Sequence, residues 1–213
     1  MNHSISVSIE DCHFAKEIYE LFSRKSGSEH IASEVSLQYL TACLRVFKPS
    51  RVLELGAGIG TITETVLSHP CAVSELVSTE TDPYCLSVLR KNLRSSGLQR
   101  LTVVTTPSEL SRLKFVADMI IGDGGFYSTE EMSTARVGTV FFTEGRREKL
   151  RNAFTKELTA EGRTITFVNY GSVWKWEKGF RRRLGWTAFL PRFGKTKGCW
   201  IGIVRPFTRD RTG

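Results

Sequence analysis

Val52-Leu53-Glu54-Leu55-Gly56-Ala57-Gly58-Ile59-Gly60 joins a short apolar run to three alternating glycines. The run, entered from Arg51, suits a parallel strand buried on both faces. Glycines placed directly after it let the backbone bend sharply and let a ligand approach the N-terminus of the next helix, where unpaired N–H groups point outward. Glu80 closes the following apolar segment, where a carboxylate can accept both hydroxyls of a ribose. A dinucleotide fingerprint would carry a further glycine at position 61, where Thr61 stands. Glu54 inside the turn also argues against a pyrophosphate. An adenosine ligand with a positive charge and an amino acid tail suits it better.

The segments on either side extend the pattern. Before the glycine turn, Phe14, Ile18, Leu21 and Phe22 share one helical face, and Leu37, Leu40, Leu44 and Phe47 share another. After it, the spacing predicts helices from Ile59 to about His69 and from Pro83 to about Arg94. Strands are predicted at Leu76–Thr79, Leu101–Thr105, Ala117–Ile121 and Arg163–Val168, the last as strand five. The segment Gly138–Phe142 reads either as an extra strand or as a buried loop. Trp186–Leu190 and Cys199–Val204 flank a turn and predict an antiparallel hairpin. Alternating strands and helices imply an α/β fold, a three-layer αβα sandwich around a mostly parallel sheet. The expectation is one domain over 1–213, with leading helices in 1–48, a ligand-binding core in 49–170 and a basic substrate-side segment in 171–213.

Composition narrows the function. The chain has 213 residues, 40% hydrophobic and 24% charged, which is a globular balance. No run approaches the roughly 18 apolar residues of a membrane span. The start lacks a secretory pattern, and the five cysteines are odd in number without metal-ligand spacing, so a cytoplasmic location with reduced thiols is expected. Charge is uneven. Residues 1–145 hold 13 Lys and Arg against 17 Asp and Glu, whereas 146–213 hold 17 against 5, a net of +12. Trp174, Trp176, Trp186 and Trp200 interleave with these cations. Such a segment reads equally as a solvated face or as an attractor of anionic partners.

These residues resemble the S-adenosylmethionine-dependent methyltransferases of the Rossmann-like class, and within it the catechol O-methyltransferase type, with a seven-stranded sheet behind two leading helices. The resemblance runs from about Ser33 to Asn169. It implies S-adenosyl-L-methionine as cofactor, its methionine part received by Glu54, Gly56, Ala57, Gly58 and Gly60, with Thr61 nearby. Thr79-Glu80-Thr81-Asp82-Pro83-Tyr84 is similar to the second motif, which assigns Glu80 to the ribose and Thr81 to the adenine side. Ser108, in Pro107-Ser108-Glu109, falls where the family contacts adenine. Asp123 and Gly124, after Asp118-Met119-Ile120-Ile121-Gly122, would face the reacting methyl.

The chain departs from the metal-dependent members. They hold a divalent ion with the aspartate after strand four and an Asp-Asn pair after strand five. Here the pair aligns with Asn169-Tyr170, and hard cations need charged oxygen ligands, so no metal is expected. The lysine base of that type corresponds to Phe126. The remaining catalytic candidates are Asp123 as base, with Tyr127, Asn169 and Tyr170 as orienting groups. The four histidines, His30 among them, read as structural or surface residues, and Thr143–Glu148 reads as a helix start more readily than as a site. The less favoured alternative has Arg146 and Arg147 reaching an acidic substrate.

Three functions compete. The leading one is O-methylation of a small acidic molecule, with nitrogen less favoured as the acceptor atom. The second is a nucleic-acid methyltransferase whose tryptophans stack on bases; Asp123-Gly124-Gly125-Phe126 stands where amino-methylating enzymes carry Asp/Asn-Pro-Pro-Tyr. The third is a cofactor-binding protein without catalysis. The residues leave the oligomeric state open.

Overall fold

The computed structural model describes residues 5–71, 73–94, 97–124, 128–145, 147–171, 174–179, 190–195 and 198–207, with backbone alone for 174–179 and 190–195. The tryptophan-rich part of the basic segment therefore lies outside what is described of side chains, as do Arg146 and the catalytic candidate Tyr127.

Two helices come first, α1 (Ile9–Ser23) and α2 (Glu34–Phe47), joined through a 3-10 turn at Ser28–His30. Ser8 and Asp11 form a reciprocal capping box at the head of α1, satisfying two N–H groups that the helix leaves unpaired. Asp11 then accepts two further bonds from Arg45 of α2, at 3.2 Å from Nε and 2.8 Å from Nη2, which fixes the helix pair. Lys48 adopts a left-handed conformation and ends α2 before Pro49.

The chain continues through β1 (Arg51–Leu55), α3 (Thr61–Ser68), β2 (Glu75–Thr79), α4 (Pro83–Asn92), β3 (Leu101–Val104), α5 (Pro107–Leu113), β4 (Met119–Gly122), α6 (Thr129–Ser133), β5 (Val140–Glu144), α7 (Glu148–Ala160) and β6 (Arg163–Tyr170). It ends with β7 (Trp174–Gly179), β8 (Leu190–Lys195) and β9 (Cys199–Pro206). Seven strands form one sheet in the order β3-β2-β1-β4-β5-β9-β6, parallel except for β9. Alternation sorts each strand's side chains between two cores. Val52, Leu76, Met119, Ile121, Val140 and Phe142 pack against α1 to α4. Leu53, Leu55, Val77, Ile120 and Phe141 pack against α5 to α7. This is the expected three-layer α/β sandwich.

The strand count is corrected. Of the two readings left open for Gly138–Phe142 the strand holds: Val140–Glu144 is a central strand, every residue buried. It is the fifth strand, so Arg163–Tyr170 is the sixth. Of the segment Trp186–Leu190 only Leu190 lies among the described residues, while Cys199–Val204 runs antiparallel to its neighbours, as expected. It lies between β5 and β6, and Leu190 opens β8, which pairs with β7 in a separate two-stranded sheet. The apolar periodicity of the two segments was readable, but nothing local says that a late strand inserts between two earlier ones.

Among the described residues no helix is long and apolar enough to cross a membrane.

Candidate functional site

Strand order reverses between β1 and β4, and such reversals open a crevice at the carboxyl ends of the strands. The glycine turn lies there. Gly56 N–H and Ala57 N–H both donate to Thr79 O, at 3.1 and 2.9 Å, which folds the turn over the end of β2. Asp123 N–H and Gly124 N–H both donate to Leu55 O, which ties the end of β4 to β1. Gly56 and Gly124 then meet backbone to backbone. Gly60 heads α3, and its lack of a Cβ admits Leu89 and Leu93 of α4. Gly58 differs: its φ is +56°, and a Cβ there would meet nothing within 4 Å. Three of the expected cofactor residues, Gly56, Gly60 and Gly124, thus serve close packing first, and Gly58 keeps space open.

Glu80 stands one residue past β2. Its Oε2 accepts Gly58 N–H at 2.6 Å, and its Oε1 accepts the N–H groups of Thr81 and Asp82, each at 2.8 Å. One carboxylate therefore joins the glycine turn to the head of α4. Ser108 is exposed in the first turn of α5, beside Glu109, whose carboxylate turns back to Thr105 N–H.

Glu54 does not face a ligand from the turn, as its place in the motif suggested. It is sealed beneath the first turn of α3, fully buried, where Oε2 accepts the hydroxyls of Ser78 at 2.5 Å and Thr63 at 2.7 Å. Burial raises its carboxyl to about 7, against the lowering effect of those two hydroxyls, with the carboxylates of Asp123 and Glu80 adding to the rise. Among the described residues its Oε1 has no partner, nor has the buried Oγ1 of Thr61. Buried polar atoms are rarely left unpaired, so Thr61, at the head of α3, marks a place where an outside group can complete the bonding, whereas Glu54 lies sealed beneath it.

A cavity of about 300 Å³ opens against this turn. Ala57, Gly58, Thr61, Asp82, Tyr84, Cys85 and Asp123 form its inner walls. Its outer wall is the segment Gly27–Ala32, with Glu29 and His30. Sequence reasoning read His30 as a structural or surface residue, and it is exposed, but gave neither it nor Glu29 a place at the crevice. Chain order carries no sign that a turn far upstream covers the crevice. Burial, with Glu80 and Asp82 nearby, pushes the Cys85 thiol up to about 11, so it is no ready nucleophile.

Asp123 reaches the cavity, as expected, but its carboxylate is engaged. Arg147, at the head of α7, donates to Oδ1 from Nη2 at 2.5 Å and from Nε at 3.2 Å. One helical turn on, Arg151 lies 4.5 Å above the Trp200 ring and donates to Thr143 Oγ1 at 3.3 Å. Reading Thr143–Glu148 as a helix start was right for Glu148 but missed Glu144. This buried carboxylate ends β5, where Oε1 accepts Ser33 N–H at 3.4 Å and Ser36 Oγ–H at 3.3 Å.

Asn169 and Tyr170 are not brought to this place. Their assignment followed from counting Arg163–Tyr170 as strand five. On β6 they stand three strand spacings from β4, roughly 14 Å. Asn169 Nδ2 donates to Cys199 O at 3.3 Å, and Tyr170 packs on Tyr39 with ring centroids 5.5 Å apart. Their bonds are structural ones.

No protein-family model and no curated protein matches this sequence. Solved structures do. One is the O-methyltransferase from Bacillus cereus in complex with SAH, 15% identical, TM-score 0.62, covering 91% of each chain. Another is the O-methyltransferase TomG from Streptomyces achromogenes in complex with SAM, 14% identical, TM-score 0.56, covering 93% of this chain and 91% of that one. A third is the SAH-bound methyltransferase PaMTH1 from Podospora anserina, 14% identical, TM-score 0.57, covering 91% and 87%. These likenesses establish the Rossmann-like methyltransferase fold along nearly the whole chain.

Proposed function

We propose that the chain is an S-adenosylmethionine-dependent methyltransferase acting on an oxygen of a small, anionic molecule. The observation that carries this reading is the cavity against the glycine turn, where the orphaned Thr61 Oγ1 stands beside a glycine whose missing side chain leaves open space, with the buried Glu54 carboxylate beneath. A cationic amino acid tail supplies donors and charge of the kind that corner lacks. Neighbours of the same fold that hold SAM or SAH support the same reading.

In this reading Ala57, Gly58 and Thr61 hold the methionine part and Glu80 the ribose. Thr81 and Ser108 flank the adenine, while Gly56, Gly60 and Gly124 keep the crevice in shape. Glu54 offsets the positive charge from below. When bound, the cofactor supplies a methyl group on a sulfonium, which is already a good leaving group. Positioning then does much of the remaining work, up to roughly 7–11 kcal/mol in favourable cases. Arg147 and Arg151, one turn apart on α7, favour a negatively charged acceptor through bidentate donation, with Trp200 as a flat wall behind Arg151. No described observation favours the nucleic-acid alternative.

Calorimetric titration of the protein with S-adenosylmethionine, S-adenosylhomocysteine and NAD tests the cofactor. The two adenosyl ligands are expected to bind and NAD is not. Binding of NAD alone would overturn the reading. Transfer of label from methyl-labelled cofactor into a mixture of phenols and hydroxy acids then tests catalysis.

A further inference from the structure

We infer that His30 is the general base that takes the acceptor's proton. The inference rests on the methyl-transfer reading above and goes beyond it in naming a catalytic group outside the glycine motif.

His30 ends the 3-10 turn Ser28–His30 and lines the same cavity as Gly58, Thr61 and Asp123. Both ends of that turn are fixed. On one side Gly27, at φ +86°, lies so close to the site that a Cβ would stand 2.9 Å from Ile59 Cγ2 and 3.1 Å from Tyr84 Cε1. On the other side Ser33 caps α2 and is held, with Ser36, on the buried carboxylate of Glu144. The turn that carries His30 into the cavity wall is therefore held against the glycine loop on one side and, through Ser33, to β5 on the other.

The alternative base is Asp123, and its Oδ1 already accepts two bonds from Arg147. The other titratable groups facing the cavity are Glu29 on the same turn, and Asp82, Tyr84 and Cys85 at the head of α4. The Asp82 carboxylate caps α4 by accepting Cys85 N–H. Catalytic proton transfer works best with a group whose ordinary range lies near the working pH, and among side chains that is the imidazole. His30 is also solvent-exposed, so the proton it takes passes on to water. The step balances. A lone pair of the acceptor oxygen forms the bond to the methyl carbon, the carbon–sulfur pair stays on sulfur, and the hydroxyl proton moves to the imidazole.

The test uses the full chain, His30→Gln and His30→Ala. Calorimetry is expected to show that both variants still bind S-adenosylhomocysteine. NMR of the histidine rings, with His30 assigned from the variants, compares the complexes with S-adenosylmethionine and S-adenosylhomocysteine. The His30 ring resonances are expected to differ between the two, because a sulfonium charge close to the ring perturbs them. Those of His69, whose Nδ1 accepts Cys71 N–H before β2, are expected to be the same in both. Label transfer into the phenol and hydroxy-acid mixture is expected to fall at least about a hundredfold in both variants.

Identical His30 ring resonances in the two complexes, or unchanged transfer in the variants, would overturn the inference while leaving the cofactor reading intact. Wild-type protein that binds neither adenosyl ligand would overturn that reading and this inference with it. The NMR comparison needs no acceptor, so it decides by itself where the mixture holds none.

Discussion

A Cβ added to Gly56 would stand 2.8 Å from both the Cα and the N of Gly124, so the ends of β1 and β4 are in backbone contact at the reversal of strand order. This contact sets the width of the crevice and separates the glycines into two kinds. Gly56 also sits at φ +84°, and no neighbouring side chain can swing away to relieve the clash. Gly56→Ala is expected to destabilise the fold by roughly 2–5 kcal/mol, combining left-handed strain with overpacking. Gly58→Ala carries the strain alone, about 1–2 kcal/mol, yet should weaken adenosyl-ligand binding strongly by filling the cavity. Urea denaturation and calorimetry on the two variants check this; equal stability losses would refute the distinction.

Glu54 gives a pH dependence of known sign. Its folded-state pKa is raised from 4.5 to about 7, so the folded protein holds this proton more tightly than the unfolded chain. The associated stability is complete below pH 4.5 and is lost as pH rises through about 7, on the order of 3 kcal/mol in all. Glu54→Gln should flatten that part of the profile, measured as urea midpoints between pH 4.5 and 8.5. A cation bound above Glu54 should also drive its proton off, so binding near pH 7 releases protons. Calorimetry in buffers of different ionisation heat reads that release directly.

Glu80 holds the glycine turn and is proposed to hold the ribose, and its removal should register in both. Glu80→Ala is expected to lower affinity for S-adenosylhomocysteine by roughly 1–3 kcal/mol, the scale of lost charge-assisted hydrogen bonds. It should also loosen the turn through the lost bond to Gly58 N–H. Unchanged calorimetric affinity would count against the ribose assignment.

Arg147 and Asp123 form a partly exposed pair, with side-chain exposures of 42% and 16%. Such pairs contribute little to stability, so Arg147→Leu should shift it by less than about 1 kcal/mol. KM for an acidic acceptor should rise about tenfold or more, with kcat nearly unchanged, since the lost interaction is ground-state binding. A neutral analogue of the same acceptor should show no change in KM.

Turnover should survive EDTA. The carboxylates at the ends of β4 and β5 are both engaged, Asp123 with Arg147 and Glu144 with Ser33 and Ser36. Strict dependence on Mg²⁺ would show that one of these bonds yields to a metal.

The fold class and the position of the crevice were legible in local patterns. Buried parallel strands are short apolar runs, amphipathic helices repeat every three to four residues, and glycines directly after a strand have few other uses. Hence Arg51–Leu55, the glycine turn and Glu80 were found where they stand. Long-range pairing was not legible, because the insertion of Cys199–Pro206 between β5 and β6 depends on which buried edges meet, not on nearby residues. Leaving Val140–Glu144 out of the count, with the insertion equally hidden, carried Asn169 and Tyr170 into a site they do not reach. The same limit hid His30, Glu144 and the Arg147–Asp123 pair. Each owes its position to tertiary packing that joins residues far apart in the chain, and no periodicity records such a meeting.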